Sequence, residues 1–254
     1  MPRPDATSRF SGRVANYVRY RPGYPPAVLD VLRAETGLAP EHVIADVGAG
    51  TGISAKLFLD AGNEVYAVEP NADMRAAAEA MLGSDPRFHS VDGRAEATTL
   101  PAASVDYVVA AQAFHWFDPQ GVRREWRRIV RPGGWMVLLW NARKTDTTAF
   151  LRGYEALLHA HGTDYTAVSH ENVTAGAIAS VLGPDFRRRD VPSEQVFDFE
   201  ALKGRLLSSS YAPAEGHPGH LPMLDALERL FHAHARDGHV VFEYDTQIYW
   251  GHGA

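Results

Sequence analysis

An α/β fold built on a mostly parallel, doubly wound sheet is what this chain predicts, on three observations. Strand-like and helix-like stretches alternate through the first 145 residues, the pattern that right-handed βαβ crossovers produce. The apolar run Val43 to Val47 feeds a glycine-rich turn, Gly48-Ala49-Gly50-Thr51-Gly52, which is how such a sheet offers backbone N–H groups to a ligand. The next apolar run, Val65 to Val68, ends on an acid, Glu69, twenty-one residues beyond Gly48. An acid at that strand tip is suited to gripping a ribose diol.

Each element follows from local signals. Pro25-Pro26 starts a helix carried by Val28, Leu29 and Leu32, ending near Gly37. Val43 to Val47 is the first strand, and Ser54 to Ala61 a helix stopped by Gly62, a usual C-terminal signal. Val65 to Glu69 is the second strand, and Asn71 can cap an alanine-rich helix running to about Leu82. Phe88 to Val91 and Val105 to Ala111 are the third and fourth strands; Pro119 to Val130 is helical. Arg131-Pro132-Gly133-Gly134 breaks the chain before a fifth strand, Trp135 to Trp140. Beyond Thr145 the pattern loosens: a helix near Phe150 to His161 precedes an irregular region rich in Ser, Asp and Arg. Val196 to Phe199 reads as a strand, Glu200 to Leu207 and Leu221 to His234 as helices, and Val240 to Trp250 as a long closing strand. These are insertions plus the last two strands of the same sheet.

Size and composition bound the function. A chain of 254 residues holds one full α/β core. A net charge of −6 argues against a sequence-independent nucleic-acid binder, which needs a basic face. The absence of cysteine rules out disulfides and thiolate metal sites. No apolar run approaches the length of a membrane span, and Met1 to Asp5 lacks the apolar stretch of a secretory signal. A cytoplasmic protein without nucleic-acid or membrane partners is expected.

Glycine spacing narrows the cofactor. A dinucleotide motif needs a third glycine where Ile53 stands, and a phosphate-binding loop needs Lys before Ser/Thr where this chain has Ile53-Ser54. The remaining Asp-x-Gly-x-Gly-x-Gly with a downstream acid resembles the first two motifs of class I S-adenosylmethionine-dependent methyltransferases. The likeness continues in Tyr17 to Pro25, in Arg94-Ala95-Glu96, in Gln112 to Phe117 and in the Leu-Trp ending of the fifth strand. Together these look like the small-molecule methyltransferases of the type 11 group, trans-aconitate methyltransferase-like members included.

The resemblance implies a Rossmann-like, seven-stranded sheet with helices on both faces and an antiparallel last strand. It implies a single domain, with residues 1–36 capping the cofactor, 37–145 binding it, and 146–254 on the substrate side. S-adenosyl-L-methionine is then the cofactor and a small molecule the substrate. Glu69 would accept both ribose hydroxyls. Gly48 and Gly50 would let the main chain pass the amino-acid end of the cofactor, with Gly52 completing the turn. Asp46 would either orient that turn and approach the cofactor's amino group through water, or serve as a turn cap alone. Where the family usually has Gly-Asp-Ala, this chain has Gly93-Arg94-Ala95. A guanidinium only donates, so Glu96 or a main-chain carbonyl would meet the adenine amine, and the Ala95 N–H a ring nitrogen. Arg94 could instead lie over the adenine ring face.

Tyr17 and Arg21 would fold over the cofactor, Arg21 clamping the methionine carboxylate or standing as a solvated helix end. Gln112 would flank the methionine arm. His115 and Trp116 would border the methyl acceptor, His115 as the candidate catalytic residue or as a packed loop histidine. His159/His161 and His232/His234 are two residues apart, so on helices they face different sides and make poor metal sites; no metal is expected. Two other functions compete: a non-catalytic nucleoside-cofactor-binding regulatory module, and an NAD-dependent oxidoreductase, which the glycine spacing disfavours.

Overall fold

A computed structural model describes residues 14–166 and 173–253. Its seven strands form one sheet in the order β3-β2-β1-β4-β5-β7-β6. The strands are β1 (Val43–Val47), β2 (Glu64–Val68), β3 (Phe88–Val91), β4 (Val105–Ala111), β5 (Val130–Arg143), β6 (Arg187–Phe197) and β7 (Val240–Gly251). The first five run parallel. β7 runs antiparallel to both of its neighbours, β5 and β6. The order reverses at β1, whose neighbours are β2 on one side and β4 on the other, and this opens a crevice at their carboxyl ends.

Alternation along the strands divides the core into two layers. Ile44, Tyr107, Val109, Val137 and Leu139 pack with α2 (Ala27–Thr36), α3 (Ile53–Asp60) and α4 (Ala72–Leu82). Ala45, Val108, Ala110, Met136 and Leu138 face α5 (Pro119–Ile129) and α7 (Ala175–Leu182). Both faces being covered explains why β1, β4 and β5 read as nearly unbroken apolar runs. A third cluster packs α6 (Ala149–His161), α8 (Phe199–Leu207) and α9 (His220–His234) against Phe197, Phe242 and Tyr244 of the β6–β7 pair.

Three expectations change. The anticipated break at Arg131–Gly134 is a bulge inside β5: Val105 pairs with Val130 and Tyr107 already with Trp135. Pro132 has no N–H to give, and Gly133 takes φ +81, so the excess residues loop out without ending the strand. β6 begins at Arg187, well before Val196. Its charged start hides it, because it is the sheet's edge strand, where exposed charge and Pro192 guard against further pairing. α7 arises inside the supposedly irregular region, with Thr174 Oγ1 capping the Ala177 N–H at 3.1 Å.

The N-terminal segment is tied down over the carboxyl edge. The guanidinium of Arg21, just past α1 (Val14–Tyr20), donates to the Ser208 carbonyl and hydroxyl at 3.0 and 3.1 Å. Gln195 Nε2 donates to the Tyr20 carbonyl at 3.1 Å, and Asn141 Nδ2 to the Gly23 carbonyl at 3.0 Å. Tyr20 fits against α8 because Gly204 lacks a side chain there; a Cβ at Gly204 would fall within the Tyr20 ring. Gly204→Ala should therefore cost about 1–3 kcal/mol through overpacking. Adding Tyr20→Ala should recover part of that loss, a non-additivity that denaturation of both single variants and the double variant would measure. Additive effects would separate Gly204 from the seating of α1.

Candidate functional site

A cavity of about 270 Å³ lies across the carboxyl ends of β2, β1, β4 and β5, roofed by Tyr17 and Arg21. Each strand delivers its contribution just past its last apolar residue. β2 supplies Glu69, β1 the turn Gly48–Thr51, β4 the segment 111–117, and β5 Asn141 and Arg143. Tyr165, Arg205 and Tyr211 close the far side.

Glu69 is the centre of the β1–β2 end. Gly50 N–H donates to its Oε2 at 3.0 Å and Asn71 N–H to its Oε1 at 2.8 Å. Burial raises its pKa, and those two N–H groups and Arg75 oppose the rise. One oxygen thus anchors the glycine turn and the other the start of α4, while both keep lone pairs for a ligand. The Val68 carbonyl accepts from Gly48 and Ala49 N–H at 2.8 and 3.2 Å, which hangs the turn on β2.

The three glycines have distinct surroundings. All take positive φ, which side chains disfavour. A Cβ at Gly48 would meet Ala113 at 2.7 Å and Phe117 at 2.9 Å, so Gly48 lets the β4 loop pack on the turn. A Cβ at Gly52 would strike Leu82 at 2.6 Å, which seats α3 against α4. At Gly50 it would meet nothing within 4 Å. Gly50 also lines the cavity, and the space beside it is open to it.

Asp46 lies fully buried beneath the turn, with Ser54 Oγ donating to its Oδ2 at 2.7 Å. Burial, opposed by the Ser54 bond and reinforced by the charge of Glu69, pushes its pKa up to about 7. It stands outside the cavity wall, as do Gly52, Ala95 and Glu96. Ala95 is buried in the core. Glu96 Oε1 accepts the Asp118 N–H at 2.9 Å, supporting the chain at the entry to α5. Of the residues expected at the cofactor, the cavity brings together Tyr17, Arg21, Gly48, Gly50, Glu69 and Gln112, with His115 and Trp116 from the acceptor side.

β4 ends in a strained residue. Gln112 has φ +55, a conformation costing ~1 kcal/mol or more for a non-glycine residue. Its N–H donates to the Leu139 carbonyl at 2.8 Å and its Nε2 to the Asn141 carbonyl at 3.3 Å. The chain thereby turns into a short 3₁₀ turn, Phe114–Trp116. Phe114 is buried among Trp126, Trp140 and Phe117. His115 and Trp116, their rings 4.9 Å apart, both line the cavity.

Sequence reasoning passed over the β5 side of the wall. Arg143 bonds to Glu155 and stacks over Tyr154, its guanidinium carbon 4.9 Å from the ring centroid. Arg205 is 7% exposed on α8. Burial, then the neighbouring charge of Arg205, lowers the pKa of Arg21. Two signals were available: Asn141 and Arg143 are polar residues at the carboxyl end of an apolar strand, and Arg205 falls on the same helical face as Leu202.

The cavity sits on a chain stretch with known relatives. A sequence profile for the family Methyltransf_11, a methyltransferase domain, matches residues 45–138. An uncharacterized methyltransferase of Mycobacterium tuberculosis is 38% identical over 141 residues, covering 56% of this chain and 55% of that protein. An uncharacterized methyltransferase-like protein of Schizosaccharomyces pombe is 30% identical over 156 residues, 61% of this chain and 59% of its own length. The chain thus spans a little over half the length of these curated relatives. Among solved structures, a candidate type II methyltransferase from Anaeromyxobacter dehalogenans superposes with TM-score 0.63 at 24% identity, covering 91% of this chain and 97% of its own. Phosphoethanolamine N-methyltransferase 2 of Haemonchus contortus, in complex with S-adenosyl-L-methionine, superposes with TM-score 0.56 at 13% identity, covering 97% of this chain and 58% of its own.

Asp46 gives a pH test of the site's foundation. Its folded pKa is raised, so the associated stability is fully present below the ordinary carboxylate range and is lost as pH climbs through about 7. Between pH 5 and 8 the protein should lose roughly 2–3 kcal/mol relative to Asp46→Asn, at about 1.36 kcal/mol per pKa unit. Chemical denaturation of both proteins across this range measures the difference; a constant gap would mean that Asp46 does not titrate there. The crevice and the glycine turn fall within the matched segment: residues 45–138 resemble the methyltransferase domain of the Methyltransf_11 family, on a Rossmann-like fold.

Proposed function

We propose that this chain is an S-adenosyl-L-methionine-dependent methyltransferase acting in the cytoplasm on a small-molecule acceptor. The observation that carries the reading is the pairing of Glu69 with an open Gly50 in one cavity wall. A carboxylate with free lone pairs suits a ribose diol, and the side-chain-free gap at Gly50 suits an amino-acid arm passing along the turn. The residues present therefore fit the cofactor. That the Haemonchus contortus enzyme on this fold is in complex with S-adenosyl-L-methionine adds support. Bound there, the cofactor would supply an already activated methyl group on a sulfonium.

The protein's tasks are then alignment and exclusion of water. Glu69, the glycine turn and Gln112 would fix the donor, with Arg21 at the methionine carboxylate and Tyr17 above it. Asp46 and Gly52 would hold the turn from below. The adenine end would fall to main-chain groups near Ala95 or to Glu96 only if that carboxylate left Asp118. Holding donor and acceptor in line can contribute ~7–11 kcal/mol to barrier reduction. His115 borders the reacting region: a hydroxyl, phenol or ammonium acceptor would lose its proton to it, whereas a carboxylate acceptor would only be positioned by it. Small-molecule methyltransferases of the trans-aconitate-like kind fall within this reading.

A methyl-donor turnover screen over carboxylates, phenols and amines, read by product mass, tests it. Wild type should yield a product 14 mass units heavier per methyl group than an acceptor, by the balance of CH₃ gained and H lost. Gly50→Val should abolish both turnover and cofactor binding while the protein stays folded. A folded Gly50→Val protein with wild-type cofactor affinity would reduce the turn to a structural device. With the acceptor identified, His115→Ala should lower the single-turnover rate ~10²–10⁴-fold if it is the base. It should instead raise KM with kcat nearly unchanged if it positions the acceptor. A variant equal to wild type in both would make His115 a packed loop residue.

A further inference from the structure

The cavity changes electrostatic character along the sheet edge. Glu69 stands at its β2 end, whereas Arg143 and Arg205 stand on the β5 side. Three strand spacings of about 4.8 Å separate β2 from β5, roughly 14 Å in all. Arg143 has its counter-charge in Glu155. Arg205 forms no ion pair with any carboxylate among the described residues. Its Nη1 donates to Ser209 Oγ at 3.1 Å, and its buried Nε has no hydrogen-bond partner among the described residues. The groups facing it are the phenols of Tyr244, which is placed to accept a hydrogen bond from it, Tyr211 and Tyr154, and the like charge of Arg21. A second donor in this corner, the buried Tyr154 hydroxyl, also has no hydrogen-bond partner among the described residues. A buried guanidinium with unmet donors is costly unless an anion meets it. No carboxylate among the described residues meets it, and Arg205 and Tyr211 both line the cavity.

We propose that Arg205, with the surrounding phenols and Arg143, is the binding site for an oxyanion of the methyl acceptor. This rests on the methyltransferase reading above and names its substrate class: a small acid with two functional groups. A carboxylate or phosphate clamped by a guanidinium and phenols has its lone pairs engaged, which makes it a handle and a poor nucleophile. The atom that receives the methyl group is a second heteroatom presented to His115 and Trp116, which follow β4, one strand nearer the cofactor end. That heteroatom's lone pair forms the new bond to the methyl carbon. The pair of the broken S–CH₃ bond stays on sulfur, and any proton on the heteroatom leaves to His115 or water. Arg21 remains on the donor's own carboxylate, so two anions meet two separate arginines.

The test is binding before turnover. Calorimetry first measures S-adenosylhomocysteine on wild type and Arg205→Gln. It then measures, on the protein saturated with that ligand, a panel of small hydroxy, amino and dicarboxylic acids and phosphate monoesters. Each acid is paired with its neutral amide, ester or alcohol counterpart. Wild type should bind at least one acid about 10- to 100-fold more tightly than its neutral counterpart, the range expected when a charge-assisted bond is lost. Carboxylate and phosphate arms identify which oxyanion fits. Arg205→Gln should lose that preference while keeping its S-adenosylhomocysteine affinity. Arg205→Lys, which retains the charge, should keep part of the preference. Turnover products should carry the methyl group away from the preferred anion. Equal wild-type binding of acids and neutral counterparts would overturn the proposal without any variant. So would Arg205→Gln losing S-adenosylhomocysteine affinity with acid binding intact, which would move Arg205 to the cofactor. If wild type did not bind S-adenosylhomocysteine at all, the methyltransferase reading would fall first and this inference with it.

Discussion

The Glu69 carboxylate bridges two chain segments at the carboxyl ends of β1 and β2. Its oxygens accept N–H groups from Gly50, in the turn after β1, and from Asn71, at the start of α4. Asn71 in turn caps α4 by accepting the Met74 N–H at 3.0 Å, and the Val68 carbonyl holds Gly48 and Ala49. With the β1–β2 ladder, this acid holds the glycine turn and the start of α4 together at the edge of the crevice. Gly50 gives its N–H to Glu69 while the space on its Cα side stays open to the cavity. The same carboxylate reinforces the raised pKa of Asp46 beneath the turn, so foundation and binding surface are electrostatically coupled.

From this anchor the cavity's polarity follows the strand order. β2 and β1 present an acid and backbone, β4 presents a strained Gln112 followed by His115 and Trp116, and β5 presents Arg143. A site acidic at one end and cationic at the other can hold a nucleoside and an acid in one orientation with their reacting atoms meeting near β4. The roof is part of this arrangement. Arg21 reaches across to Ser208, and Asn141 receives its own support from Thr246 Oγ1, which donates to Oδ1 at 2.7 Å. The N-terminal segment, β5 and β7 are therefore linked on the β5 side of the cavity.

Much of this was legible in the chain because the core is periodic and the turn is chemically distinctive. β1, β3 and β4 carry the bounds read from their apolar runs, and Asn71 caps α4 as its position suggested. What escaped reading has physical causes. β6 is an exposed edge whose Arg187-Arg188-Arg189-Asp190 start mimics a loop, and α7 escapes because it is only eight residues long, Ala175 to Leu182, between polar flanks. Of the site, the glycines and Glu69 announce themselves by spacing. Arg205 and Tyr211 are brought to the cavity by the packing of α8 and its following loop, which no local pattern specifies. Glu96, read as a substitute for a missing acid, has a nearer partner in the Asp118 N–H.

The proposed role of Glu69 is to hold the ribose of a nucleoside cofactor. Calorimetry of S-adenosylhomocysteine and its 2′-deoxy and 3′-deoxy analogues, on wild type and on Glu69→Gln, measures the coupling between that carboxylate and each hydroxyl. The account predicts that wild type prefers the full ribose by about 10-fold or more per hydroxyl, a charge-assisted bond in each case. Glu69→Gln should erase most of that preference while still binding the deoxy analogues. A preference for the full ribose that is unchanged in Glu69→Gln would contradict it.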